Sequence, residues 1–115
     1  MAYDEKMADR VRELISKTHR ITEEKKMFGG LCFMVNHKMC IGIQIDHMMV
    51  RLNPDQYERA LEKEGCRPME FTGKPMRGYV YVDPEVLSTQ KKLDYWIQLA
   101  LDYNPIAKAS KKKKG

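Results

Sequence analysis

Residues 25–53, KKMFGGLCFMVNHKMCIGIQIDHMMVRLN, decide the fold. Apolar residues recur here at a spacing of two. Met39, Ile41, Ile43 and Ile45 alternate with Lys38, Cys40, Gly42, Gln44 and Asp46, the pattern of a half-buried strand with its isoleucines inward. Beyond Asp46-His47, Met48, Val50 and Leu52 alternate with Met49 and Arg51. A two-residue turn at Asp46-His47 pairs Ile45 with Met48 and Ile43 with Val50, so both strands offer one core face. Upstream, Leu31 and Phe33 belong on that face too. A two-residue turn at Asn36-His37 would oppose them to Gly42 and Cys40. A three-residue loop, Val35-Asn36-His37, opposes Phe33 to Met39 and Leu31 to Ile41, with His37 left-handed, and this is the register expected.

The flanks supply helices. Residues 3–18 carry Met7, Val11, Leu14, Ile15 and Thr18 on one stripe at helical spacing. Asp4, Glu5 and Asp9 lie in the first turns, where the helix dipole favours acids. Residues 22–26 are polar and are read as a lead into the sheet. Asn53-Pro54-Asp55 starts a second helix over 53–64, with Tyr57, Ala60 and Leu61 inward and Gly65 closing it. A second hairpin follows, residues 68–72 and 75–82 about a Gly73-Lys74 turn. Met69, Phe71, Met76, Gly78, Val80 and Val82 are expected on one side, and Glu70, Arg77, Tyr79 and Tyr81 on the other. Asp83-Pro84-Glu85 opens a last helix, with Ser88 as a fresh cap, Leu93, Ile97, Ala100 and Leu101 inward, Trp96 at the edge, and Asn104-Pro105 as the stop. The expected order is α-β-β-β-α-β-β-α. That is an α+β chain, a two-layer α/β sandwich on an antiparallel sheet. Residues 1–104 are expected to form one domain and 105–115 a disordered basic tail.

Composition narrows the function classes. Lys and Arg number 21 against 16 Asp and Glu. Lys108 and Lys111 to Lys114 account for the excess, so the body is formally neutral and is no basic platform for nucleic acid. No apolar run reaches the ~20 residues of a membrane span. The N-terminal stretch MAYDEKMADR has no apolar core of a signal peptide, and a cytoplasmic location with reduced thiols at Cys32, Cys40 and Cys66 is expected.

The Met-Phe-Gly-Gly stretch, Met27, Phe28, Gly29 and Gly30, precedes a β pattern rather than a helix and lacks Gly-Lys-Ser/Thr. It is therefore read as structural, a bulge or close backbone approach, not as a phosphate cradle. This motif within KKMFGGLCFMVNHKMCIGI, together with GKPMRGYVYVDPEVL at 73–87, resembles the TfoX N-terminal domain family over roughly residues 7–103. The resemblance implies the same element order and the role of a stand-alone regulatory domain like that of bacterial competence regulators. His37 stands where the family usually has glycine. No catalytic residue comes with the resemblance.

Site readings follow from strand parity. Zinc needs four close ligands. His37 and His47 fall at opposite ends of the shared middle strand, more than about 20 Å apart at the usual rise per residue, so no metal or cofactor is expected. The three cysteines have no catalytic motif around them, and no enzyme activity is expected. Helices on one side of the sheet leave the other open, with Cys32, Met34, Cys40, Met49, Tyr79 and Tyr81 on it. Met49, Tyr79 and Tyr81 are the candidate anchors of an interface, with Arg51 and Arg77 as polar contacts. The leading expectation is a non-enzymatic protein-interaction module that uses this face for a protein partner or a second copy. The alternative is a nucleic-acid-binding protein, in which Lys111, Lys112, Lys113 and Lys114 supply affinity beside Arg51, Arg77 and Tyr79. A third reading, a small enzyme, requires a deep polar pocket.

Overall fold

Asp4 starts the chain's first helix, its carboxylate accepting from the backbone N–H groups of Lys6 and Met7 at 3.0 and 3.1 Å. The computed structural model describes residues 4–27, 30–71 and 74–107. Helix α1 spans Glu5–Ser16 and buries Met7, Ala8, Val11, Leu14 and Ile15. Thr18 lies beyond its end and is exposed. The strands are β1 (Ile21–Met27), β2 (Gly30–Val35), β3 (Lys38–Ile43), β4 (Met48–Arg51), β5 (Cys66–Phe71) and β6 (Lys74–Val82). A 3-10 turn at Pro54–Gln56 leads into the short helix α2 (Tyr57–Leu61), and Pro84–Leu87 leads into α3 (Gln90–Tyr103). Among the described residues, the six strands form one antiparallel sheet in the order β1-β2-β3-β4-β6-β5. The α+β class and the antiparallel sheet are as expected.

One strand is additional. The polar segment at 21–27 pairs with β2 along its length and becomes the sheet's edge. Glu23 to Lys26 are all exposed, so burial does not hold this strand. Backbone pairing does, helped by Arg12, whose Nε and Nη2 donate to the two Glu24 oxygens at 2.7 and 2.8 Å. Thr22 fills a register slip in the pair, donating to Met34 O and accepting from His37 N, each at 3.1 Å. A charged edge of this kind also discourages pairing with foreign strands.

Both hairpins of the 25–53 stretch bring Leu31, Phe33, Ile41, Ile43, Met48 and Val50 to the expected face, but by another route and with three exceptions. Asn36 and His37 both have positive φ, 55° and 63°, which makes a two-residue turn with Val35 opposite Lys38. Parity is restored by a bulge instead of a longer loop: Met34 pairs with Met39, but Phe33 pairs with Ile41, leaving Cys40 as the extra residue. Such a bulge turns two consecutive side chains to one side. Cys40 therefore joins Ile41 in the helix-side core, and Met39 goes to the reverse face. At the other end, Ile43 pairs with Met48 and Ile41 with Val50, two residues out of the expected register. Gln44–His47 form the connection, closed by Gln44 N–H to His47 O at 2.9 Å. Ile45 sits in that loop, 59% exposed, rather than in the core.

The later elements differ in detail. Asn53 caps through its side chain to Asp55 N–H at 2.9 Å, and Gly65 takes φ 77° after α2. Phe71 pairs with Lys74, and the register between β5 and β6 slips by the time Pro68 meets Val80. Gly78 lies opposite that slip with φ 94°. The slip sends Met69 to the reverse face while Val80 and Val82 stay in the helix-side core. Gly73 of the expected turn lies outside the described residues, as do the side chains of Phe71 and Met76. Thr89, not Ser88, caps α3, and Trp96 is buried at 3% rather than standing at the edge. After α3, Asn104–Ile106 adds one 3-10 turn before the chain leaves.

Candidate functional site

Of the expected interface residues, Met49, Tyr79 and Tyr81 meet on the reverse face of the sheet and Arg77 lies against α2, but the face is not bare. Cys32, Met34, Met39, Met49 and Met69 form a second apolar cluster, each at most 7% exposed. Met69 belongs to β5 and Cys32 to β2, four strand steps away in the sheet. A flat sheet would hold those strands about 19 Å apart. Their meeting around one small cavity, with Gly42, Met49 and Tyr81, requires the sheet to curl over its own reverse side. The slips beside Cys40 and Gly78 are the places where strands bend most readily. An unbent, open reverse face was expected from parity; curling closes much of it.

Each expected interface residue can now be placed. Met49 is 3% exposed and Arg51 9%, so neither is a surface anchor. The Arg51 guanidinium lies 5.5 Å from the Tyr79 ring centre and 6.0 Å from that of Tyr103 on α3. Tyr79 and Tyr81 are half-buried and pack on the sulfur-rich cluster. Arg67 covers the Tyr81 ring at 5.8 Å and donates to Asp83 at 2.7 Å. Arg77 is exposed and pairs with Glu58, and it lies over the Tyr57 ring at 5.6 Å. That pairing holds the Glu58 carboxyl below the usual carboxylate range. What remains at the surface is a rim on β6 and β5: two tyrosines with arginines beside them.

Of the Met-Phe-Gly-Gly residues, Phe28 and Gly29 lie outside the described residues, as do Lys111, Lys112, Lys113 and Lys114. Gly30 is described, and a Cβ there would stand 2.2 Å from Ile43 O. The backbones of β2 and β3 approach too closely at this point for any side chain.

The cysteines are poor nucleophiles where they stand. Burial pushes the Cys32 thiol up to about 11, Cys40 to about 12 and Cys66 to about 11. Thiolate, the reactive form, is scarce at neutral pH for such groups. Among the described residues, no three His, Cys, Asp or Glu side chains gather closely enough to hold a metal ion. His47 Nδ1–H donates to Asp46 Oδ1, 2.7 Å away, and the His47 ring lies 4.1 Å from that of Tyr81. No described helix is long and apolar enough to cross a membrane.

Two features were not anticipated. Asn104, read as a helix stop, is buried at 1%. It accepts from Asn36 Nδ2 at 2.7 Å and donates to Val35 O at 3.0 Å, tying the end of α3 to the first hairpin. Only a polar residue buried beside a turn carries that role, and a sequence alone does not show which turn it meets. The second is a groove at the start of α3, where Lys91 and Lys92 occupy the first helical turn. Two cations against the helix dipole are a legible oddity.

These elements make a small antiparallel α+β domain with an apolar cluster on each side of its sheet and a tyrosine–arginine rim. The chain belongs to the TfoX N-terminal domain family, whose model matches residues 13–103. That family is one of competence-regulator-like modules. No curated protein matches the chain, and no solved structure does.

Proposed function

We propose that this chain is a non-enzymatic regulatory module that docks a protein partner through the Tyr79–Tyr81 rim of its sheet. The observation that supports this is the seating of the two rings. Each is half-buried, rests on the buried methionine cluster and has an arginine near its ring. Rings already immobilised lose little freedom on binding, and Tyr and Arg are the residue types on which interface energy concentrates. Arg67 flanks Tyr81, and Arg77 stands two residues before Tyr79 on β6, paired with Glu58 and over the Tyr57 ring; both side chains are about half-exposed. Their surface ion pairs are screened by solvent and exchange readily. The matching partner presents an apolar centre edged by carboxylates. Family membership supports a regulatory role.

The test is a captured partner that is identified, purified and rebound. Arg67→Glu with Arg77→Glu should weaken that binding at least tenfold while the fold, read by circular dichroism, is retained. A reversal at Lys17 and Arg20, exposed on the far side of the molecule, should not. Equal binding by the rim variant would remove the rim from the function. The nucleic-acid alternative is weaker on its sheet side, because Arg51 is buried between Tyr79 and Tyr103.

A further inference from the structure

Lys63, Lys91 and Lys92 line one groove of ≈ 490 Å³ between the end of α2 and the start of α3. That volume is in the range of small-ligand sites. Among the described residues none of these three ammonium groups has a carboxylate partner; Lys63 instead sits 4.7 Å over the Tyr95 ring. Three such cations against one acid, Glu64, leave the groove with a net positive charge. Lys91 and Lys92 follow Gln90, the first residue of α3, and this helix has no acid in its first turn. Positive charge there opposes the helix dipole, so the arrangement is electrostatically unfavourable until an anion arrives.

The opposite requirement, a flat apolar surface, is met beside the lysines. Tyr95 is 40% exposed and meets buried Trp96 edge-on, ring centres 5.3 Å apart at 80°. The contact sets the orientation of the Tyr95 ring, and Lys63 lies over one of its faces. Glu64 on the same wall offers an acceptor for an amine or hydroxyl of the ligand. We propose that this groove binds a nucleotide, its phosphates between Lys91, Lys92 and Lys63 and its base stacked on Tyr95. The site is separate from the tyrosine rim and does not depend on it. The nucleotide is free or is the phosphorylated end of a single strand; the chemistry recognised is the same.

Trp96, the chain's single tryptophan, makes the groove its own reporter. The full-length chain is titrated with ATP, with tripolyphosphate and with a 5′-phosphorylated pentanucleotide, following Trp96 fluorescence. ATP should give a saturable change. Lys91→Ala with Lys92→Ala should weaken it about tenfold, the sum of two exposed ion pairs. Tyr95→Ala should weaken ATP by a similar factor, through lost stacking, and leave tripolyphosphate unaffected. All three residues are exposed, and melting curves check that the variants fold. The lysine tail is present in every protein compared, so its contribution cancels. Tighter binding of the pentanucleotide than of ATP assigns the site to strand ends, and the reverse assigns it to free nucleotide; either supports the site. No saturable signal, an unchanged affinity in the lysine variant, or tripolyphosphate binding as tightly as ATP overturns the proposal.

Discussion

Gly30 tolerates no methyl group, because its Cβ would stand 2.2 Å from a backbone oxygen of β3 that has nowhere to move. Gly30→Ala should therefore cost about 2 kcal/mol, the usual range for forced overpacking, in a urea titration. A cost within experimental error would mean that β2 can shift off β3. The buried thiols make a second prediction at this scale. Cys32 and Cys40 titrate in the fold at about 11 and about 12, against an ordinary 9.0. Below pH 9 both are neutral in folded and unfolded chains alike, so they add no pH dependence. Above it the unfolded chain loses its protons first, and stability should fall as pH rises from 9 towards 11. Each thiol contributes a slope of up to about 1.4 kcal/mol per pH unit. Cys32→Ala with Cys40→Ala should flatten that part of the profile; an identical slope would assign it to other groups.

Among the elements, β1 is the one whose existence the hydrophobic pattern conceals. A strand announces itself by alternation only where one face is buried, and Glu23 to Lys26 are exposed throughout. It forms because β2 has an unused edge and because Arg12 reaches across to Glu24. Its amides should exchange with solvent deuterium well before those of β3 and β4, which lie inside the sheet. Protection equal to that of β3 would show that something more than edge pairing holds it. The helices were legible because their caps and stripes are local: Asn53 caps and Gly65 is left-handed as their positions predict, while Asp4, read as a first-turn acid, is the cap of α1. Strand faces were legible through parity for Leu31, Phe33, Ile41 and Val50. The bulge at Cys40 was not, because a short turn plus one extra residue and a longer loop put Phe33 and Leu31 on the same side. The choice moves only Met39 and Cys40, and both are apolar enough for either face.

Over the whole molecule the decisive feature is the curl that lets Met69 of β5 and Cys32 of β2 line one small cavity. Parity puts Met49, Tyr79 and Tyr81 on one side but says nothing of curvature, so it gave no sign that Met49 is buried there. Met69 closes that side. Met69→Ala should cost 2–5 kcal/mol, as large-to-small changes in packed sites do, and should raise binding of an apolar dye as the remaining methionines are uncovered. A small cost without dye binding would mean that the curl is set by the bulges alone. At the other end of the molecule, Asn104 clasps Val35 and Asn36, and Lys38 reaches Asn104 O and Pro105 O at 3.1 and 3.2 Å. Tension applied to the chain past Ala107 would thus be borne first by this clasp, at the tip of the first hairpin. In a single-molecule pulling experiment, Asn104→Ala should lower the force of the first rupture and let α3 peel away from the sheet like a strip of tape from its free end.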